Sequence, residues 1–180
     1  MTIISEDFHN KKRPSIQFLA DARNYYLHEI KKDFDMVLAI DMDLNKGIDP
    51  RGIAHSFSRI KDWDVVCSNG IKKFKSMWDT FAFEANPEHT RSIYTPGSEI
   101  VPVKSCFGGI TIYKKSVLSN CYYDSVNNTR CEHVGLSQCM RDQHKAKIVM
   151  NPTQIVRYRA SATIPFPMAA LSSSHAFSKS

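Results

Sequence analysis

Acidic residues spaced for metal chemistry occur in three Asp-x-Asp triplets. They are Asp33/Asp35, Asp41/Asp43 and Asp62/Asp64. Only Asp41/Asp43 follows the carboxyl end of an apolar run, where open α/β sheets bind ligands; the other two lie at the starts of predicted strands. Residues i and i+2 of extended chain project to the same side, so these carboxylates would repel without a cation between them. Mg²⁺ or Mn²⁺, held by carboxylates, phosphates and water, fits this pair, and the alternative is an exposed acidic turn that caps the next helix.

A second group of candidates follows later in the chain, at Gly108-Gly109 and Glu132-His133. The glycines remove side chains where the backbone must approach a sugar or, as the alternative, another strand. Glu132 begins a predicted helix, whose dipole stabilises a carboxylate suited to hydrogen bonds with sugar hydroxyls or to general-base catalysis. His133 has three interpretations: a metal ligand, a phosphate contact, or a helix-start histidine with no chemistry.

Arg23 is the candidate cation of the N-terminal part. It lies four residues from both Leu19 and Leu27, on the apolar stripe of a predicted helix. An arginine on an inner face needs an anionic partner. That partner is either a ligand or a carboxylate of the protein at the edge of the core.

These residues must be positioned by alternating strands and helices. Apolar runs predict strands at 34–40, 63–67, 107–113, 148–150 and 154–156, and residues 2–5 form a further short run. Helical spacing predicts helices at 14–32, 53–60, 114–120 and 132–143. Residues 71–104 show no regular pattern, and the tail from Ser161 is predicted to be a linker or disordered. The alternation predicts an α/β fold with a largely parallel sheet, in which the 34–40 strand is covered on both faces.

Composition is that of an ordinary globular domain. The chain has 180 residues, 42% hydrophobic and 23% charged, with a formal charge of +6. Its basic residues are scattered without aromatic interleaving, which favours phosphate steering or a solvated surface and argues against a nucleic-acid partner. Neither a signal peptide nor an apolar run of about 20 residues is present, so no membrane span is expected and a cytoplasmic location is predicted, unless a targeting segment lies elsewhere.

Five cysteines occur without a C-x-x-C pair. An odd count without a secretory signal predicts free thiols. In an oxidising compartment Cys121 and Cys131 could pair, and Asn127-Asn128-Thr129 would be a glycosylation sequon.

Five sequence blocks, taken in order, resemble the motifs of GT-A-type glycosyltransferases. The blocks are Arg23-Asn24 with 37–43, then 63–70, 105–113, 131–136 and Asn151-Pro152. They are most similar to a subgroup that holds the fungal capsule-type mannosyltransferases and the capsid-glycosylating enzymes of large DNA viruses. The resemblance covers roughly residues 2–158.

The resemblance implies a GT-A-like, Rossmann-like domain over residues 1–160, with a mostly parallel central sheet flanked by helices and without the family's first βα unit. It also implies a glycosyltransferase that moves a sugar from a UDP- or GDP-sugar to a hydroxyl of a glycan or glycoprotein. The implied cofactor is Mn²⁺ or Mg²⁺, and a viral origin would place the enzyme in the host cytoplasm.

Site roles follow from the same resemblance. It implies that Asp43 ligates the metal and that Asp41 contacts the nucleotide ribose or the metal. Arg23 would reach the donor's nucleotide or diphosphate, and Gly108 and Gly109 would line the sugar pocket.

Three further residues complete the implied site. Glu132 would occupy the catalytic or acceptor-binding carboxylate position, and Asp79 is a further candidate for the sugar site. Because the late histidine of many GT-A enzymes is missing near Arg157-Tyr158, the third protein ligand of the metal is either His133 or absent.

Two other functions compete with this hypothesis. A sugar-nucleotide pyrophosphorylase shares the nucleotide-binding architecture, although its glycine- and arginine-rich N-terminal loop is not visible in the sequence. A non-catalytic remnant of a glycosyltransferase is the third hypothesis.

Overall fold

The computed structural model describes residues 15–30, 34–42, 44, 48–72, 76–77, 79–85, 94–127 and 129–158. The candidate residue Asp43, the run at 2–5 and the tail from Ser161 lie outside these ranges. The helices are α1 (Ile16–His28), α2 (Pro50–Ser58) and α3 (Glu132–His144), with a 3-10 turn at Lys115–Leu118. The strands are β1 (Met36–Ile40), β2 (Val65–Lys72), β3 (Ser76–Met77), β4 (Glu84–Ala85), β5 (Val101–Ser105), β6 (Ile110–Lys114) and β7 (Ile148–Arg157).

The α/β class is confirmed, but the prediction of a mostly parallel sheet is wrong. The strand order is β1-β6-β2-β7-β5-β4, and β3 pairs with the end of β2. Among the described strands, β2 and β7 form the one parallel pair. The other pairings are antiparallel, because β6 inserts between β1 and β2 and β5 adds to β7 in the opposite direction. The sheet therefore fits the GT-A-like expectation only loosely.

The directions of the strands nevertheless bring two of the candidate residues, Asp41 and Gly109, to the same end of the sheet. Since β1 and β2 are both antiparallel to β6, they run in the same direction, and β7 shares it. The carboxyl ends of β1, β2 and β7 therefore meet the amino end of β6 at one edge of the sheet. Asp41 follows β1 and Gly109 precedes β6 at that edge.

The sheet has a hydrophobic cluster on each face. On one face, Val65 and Cys67 of β2 pack with Ala20 of α1 and with Leu136 and Met140 of α3. The other face is covered by α2, and Val66 of β2 points to that side. Successive residues of β2 therefore alternate between the two clusters, as expected of a strand that is buried on both faces.

The cluster beneath α2 is centred on Trp63, which packs with Val66 and Ile53. The indole is 1% exposed, and its Nε1 donates a hydrogen bond to the carbonyl of Ser56 at 2.9 Å. The Nζ of Lys114 lies 5.8 Å from the centre of the indole ring. Trp63 thus connects α2 to β2 through its hydrogen bond and its packing.

Local chemistry explains where the helices begin. The Ser15 hydroxyl accepts a hydrogen bond from the backbone N–H of Phe18 at 3.1 Å and caps α1. Asp49 accepts from the N–H of Arg51 at 3.0 Å, and Pro50 occupies the first position of α2, where its missing N–H costs nothing.

The prediction that the 34–40 strand is buried on both faces is wrong. β1 lies at the end of the strand order, and Leu38 is 46% exposed. A continuous apolar run is expected of a central strand, but it does not identify the neighbours that will cover it.

The two predicted late strands are one strand, β7. The paired register jumps from Ser68↔Asn151 to Asn69↔Ile155, so residues 152–154 form a bulge in the ladder with β2. Such a bulge accommodates Pro152, which has no N–H to contribute to the ladder.

The cysteines are also arranged differently from the prediction. Disulfides join Cys67 to Cys106 and Cys121 to Cys139, and within the described residues Cys131 is the free cysteine. The expected free thiols and the alternative Cys121–Cys131 pairing are therefore wrong. The Cα atoms are 5.9 Å apart in the first pair and 5.6 Å apart in the second, within the range for a disulfide.

In the part of the chain that the structure describes, no helix has the length and apolar character needed to cross a membrane.

Candidate functional site

The glycine pair forms a turn that lies directly on strand β2. Gly108 and Gly109 have φ values of +62° and +88°. A Cβ built on Gly108 would lie 2.1 Å from the carbonyl oxygen of Ser68, so only glycine fits there. The carbonyl of Gly109 accepts a hydrogen bond from the N–H of Asp41 at 2.9 Å. The turn thus brings the end of β1 and the start of β6 together.

Asp79 completes this turn from a separate segment. Its Oδ2 accepts a hydrogen bond from the N–H of Gly108 at 3.1 Å. Burial, opposed by that bond, raises the pKa of Asp79 to about 7, and the charges of Asp41 and Glu132 add to the rise. The residue also has a φ of +80°, an uncommon conformation for aspartate. A carboxyl group that titrates near neutrality in a strained backbone is typical of functional sites.

Arg23 is the central cation of the site. Its Nε donates to the Oε1 of Glu132 at 3.0 Å, and its Nη2 lies 3.6 Å from the Oδ1 of Asp41. The guanidinium carbon lies 5.3 Å from the centre of the Phe107 ring and 5.7 Å from that of Tyr123. Of the two predicted partners for Arg23, the structure provides the carboxylates of the protein.

Glu132 and His133 are the first residues of α3, and each is 4% exposed. Glu132 lies beside the free cysteine, with the Cys131 Sγ 3.6 Å from its Oε2. Its other oxygen is bonded to Arg23. The carboxylate therefore holds the arginine, and the predicted catalytic role of Glu132 stays a prediction.

The imidazole of His133 is part of an aromatic stack. Its ring lies 4.0 Å from that of Phe107 at an interplanar angle of 19°, and its edge meets Tyr123 at 5.3 Å. Its Nε2 is 3.7 Å from Glu132 Oε1. Burial, and then the charge of Arg23, hold the pKa of His133 well below its ordinary value, so the ring is neutral.

The predicted metal set of Asp41, Asp43 and His133 stays a prediction. Asp41 stands at the end of β1 with its side chain 30% exposed, in a position to meet a cation from solvent. Asp43 lies outside the described residues. Within those residues, no three His, Cys, Asp or Glu side chains form a group able to hold a metal. Of the three predicted ligands, Asp41 is therefore the one that the described residues place where a cation could reach it.

Sequence reasoning missed the aromatic part of the site. Phe107, Tyr123 and Tyr26 surround Arg23, and the Tyr26 hydroxyl is 3.3 Å from that of Tyr123. Tyr158 was missed too: a Cβ on Gly109 would lie 2.6 Å from its hydroxyl. The available signals were Tyr26, one helical turn after Arg23, and Phe107, next to the glycine pair.

Asn24 explains why an Arg-Asn pair suits this helix. Its side-chain amide donates to the carbonyl of Tyr123 at 2.9 Å and accepts from the N–H of Tyr123 at 2.8 Å. These paired bonds dock the Tyr123 segment onto α1 beside the Arg23 guanidinium.

Comparison with known proteins shows no family. No protein-family model and no curated protein matches the chain. One solved structure, "Crystal Structure of A197 from STIV", is similar over 84% of this chain and 80% of that chain, at 17% identity and a TM-score of 0.37.

Proposed function

We propose that the protein is a glycosyltransferase that moves a sugar from a nucleotide-diphosphate-sugar to a hydroxyl acceptor. One observation carries the proposal: residues far apart in sequence and named by the resemblance converge at one edge of the sheet. They are Arg23, Asp41, Asp79, Gly108, Gly109 and Glu132. This is the edge at which the strands β1, β2 and β7 end, where α/β sheets bind ligands.

In the proposed reaction, the bond between the anomeric carbon and the diphosphate oxygen breaks, and the nucleoside diphosphate leaves with the electron pair. A new bond forms between that carbon and the acceptor oxygen, whose proton is released. Arg23, which stays protonated, offers charge to the leaving diphosphate. Asp79 and the backbone of the Gly108–Gly109 turn provide polar atoms for the sugar, while the space that the glycines leave is filled by strand β2 and Tyr158.

Two roles remain for Glu132 within this proposal. As a general base it would take the acceptor proton, and as a sugar-binding group it would accept hydrogen bonds from hydroxyls. Its bond to Arg23 favours a further role, in which it orients the guanidinium. Divalent metal dependence belongs to the proposal through Asp41 and Asp43, because Mn²⁺ and Mg²⁺ prefer carboxylate and phosphate oxygens.

Calorimetry tests the proposal with UDP, GDP and their sugars, titrated with and without Mn²⁺. We expect Asp43→Asn and Asp41→Asn to weaken Mn²⁺-dependent binding by at least about tenfold, the scale of one lost charged contact. Asp62→Asn is the matched control from another Asp-x-Asp triplet, since Asp62 is bonded to Arg59 on the surface. Unchanged binding in the Asp43 variant would count against the site.

The competing functions give different results in the same preparation. Release of pyrophosphate from a nucleoside triphosphate and a sugar phosphate would identify a pyrophosphorylase. A folded protein that binds no nucleotide or nucleotide sugar under any metal condition would be a non-catalytic remnant.

A further inference from the structure

Two stacked rings, those of Phe107 and His133, lie next to Arg23. His133 stacks on Phe107 with ring centres 4.0 Å apart, and the guanidinium of Arg23 lies 5.3 Å from the centre of the Phe107 ring. Tyr123 closes the side, 5.3 Å from the His133 ring and 5.7 Å from the guanidinium carbon. His133 thus contacts two of the rings that surround the arginine, Phe107 and Tyr123.

The surroundings of His133 favour a packing role for its ring over a ligand role for its nitrogens. The residue is 4% exposed. In the described part of the chain, its Nδ1 has no hydrogen-bond partner. Its Nε2 faces Glu132 Oε1 at 3.7 Å, beyond hydrogen-bond distance, and that oxygen already accepts from Arg23.

We propose that His133 is a positioning residue: its ring, stacked on Phe107, holds the platform on which the Arg23 guanidinium rests, and its nitrogens bind neither metal nor phosphate. The inference deepens the proposed function and rests on it for the ligand, but the geometry of the stack does not depend on that function. Phenylalanine has the shape needed to replace the ring, and alanine does not.

Physical chemistry separates the two substitutions. An aromatic pair contributes beyond its buried area, so its loss in His133→Ala corresponds to a roughly two- to tenfold weaker affinity if the guanidinium loses its fixed position. His133→Phe keeps the stack and removes a buried nitrogen without a partner, which is neutral or stabilising for the fold. We therefore expect the Tm of His133→Phe to equal or exceed that of the unmodified protein.

The test measures binding of UDP and GDP by calorimetry across a range of Mn²⁺ concentrations. We expect His133→Phe to bind within about twofold of the unmodified protein, with the same Mn²⁺ dependence, and His133→Ala to bind about two- to tenfold more weakly. If His133→Ala does not fold, Phe107→Leu removes the same stack from the other side and is expected to weaken binding similarly. A loss in His133→Phe as large as that in His133→Ala, or an altered Mn²⁺ dependence, would overturn the proposal.

A second readout works even if no nucleotide binds. The Nε–H signal of Arg23 in ¹H–¹⁵N NMR spectra, assigned from its loss in Arg23→Lys, reports whether the guanidinium is held. We expect that signal to persist in His133→Phe and to broaden or exchange faster in Phe107→Leu. A signal unchanged in Phe107→Leu would contradict the positioning role. Absence of nucleotide binding in the unmodified protein, with the NMR result as expected, would contradict only the proposed function.

Discussion

At the scale of single residues, Asp79 makes the stability of the fold depend on pH. Its pKa is about 7 in the folded protein, against an ordinary value of 3.8. The folded state therefore binds more protons than the unfolded state between roughly pH 4 and 7, and stability falls as pH rises through that window. Above pH 7 the buried carboxylate is charged, and the cost of burying that charge is fully present.

Asp79→Asn should remove this dependence. Asparagine stays neutral, can accept the Gly108 hydrogen bond and tolerates a positive φ. We expect the Tm of the variant to exceed that of the unmodified protein by a few degrees at pH 8 and to match it below about pH 4, where Asp79 is neutral in both the folded and the unfolded state. Thermal denaturation at the two pH values measures the difference in Tm, and Asp35→Asn, at an exposed position, is the control. Parallel pH curves for the Asp79 variant and the unmodified protein would contradict the assignment.

Gly108 and Gly97 form a matched pair for a test of the turn. Both have positive φ, but a Cβ on Gly97 meets nothing within 4 Å, whereas one on Gly108 meets the Ser68 backbone. We expect Gly97→Ala to cost about 1 kcal/mol and Gly108→Ala about 3 kcal/mol, because a clash adds to the backbone strain. Urea unfolding measures both, and equal costs would show that the turn is not packed on β2.

Position and resemblance together selected polar residues that lie close together in the structure. Asp41 was selected because it ends an apolar run, and the structure places it beside Gly109 and Arg23. The aromatic partners could not be predicted, because Phe107 and Tyr123 look like core residues in the sequence. Their contact with Arg23 depends on how α1 docks against the later segments.

At the scale of elements, the Cys67–Cys106 disulfide joins β2 to the residue before Phe107. The bond is buried, with Cys67 0% and Cys106 2% exposed. Ser68 follows Cys67 directly and Gly108 is two residues after Cys106, so this bond supports the contact between Gly108 and Ser68. The second disulfide, Cys121–Cys139, instead joins the segment after the 3-10 turn to α3.

Removing each disulfide should have different effects. The residues are 39 apart in Cys67–Cys106 and 18 apart in Cys121–Cys139. Chain entropy gives losses of about 4 and about 3 kcal/mol for the paired Cys→Ala variants. We expect only Cys67→Ala/Cys106→Ala to weaken nucleotide binding as well, as seen by calorimetry under conditions where both variants are folded. Equal effects on affinity would contradict the link to the site.

Elements were predicted better than their pairing. The positions of α2 and α3 follow from the helical spacing of their apolar residues, and those of β1 and β6 follow from apolar runs. β5 was missed, since Val101–Ser105 contains Pro102 and alternates only briefly. The predicted strand directions were wrong because alternating strands and helices predict parallel pairing. β6 instead lies antiparallel between β1 and β2, and no pattern in the sequence indicates that position.

At the scale of the whole molecule, the thiol count is the simplest check on the chain. Burial, and then the charge of Glu132, raise the pKa of Cys131 to about 12, so the folded protein should resist alkylation at neutral pH. Iodoacetamide added to the unfolded, unreduced protein should modify one of the five cysteines, and added after reduction it should modify all five. Mass spectrometry reads both, and three or more modified cysteines before reduction would contradict the pairing.

The chain contains two tryptophans, and the place of Trp63 makes it a useful optical reporter. Its indole is sealed beneath α2, on the opposite side of the sheet from the cluster formed by α1 and α3. Its emission should therefore be blue-shifted and should move to longer wavelength when the core is exposed to water. In a Trp63→Phe protein the remaining tryptophan is Trp78, the sequence neighbour of Asp79, so quenching by added nucleotide could be followed without the emission of Trp63.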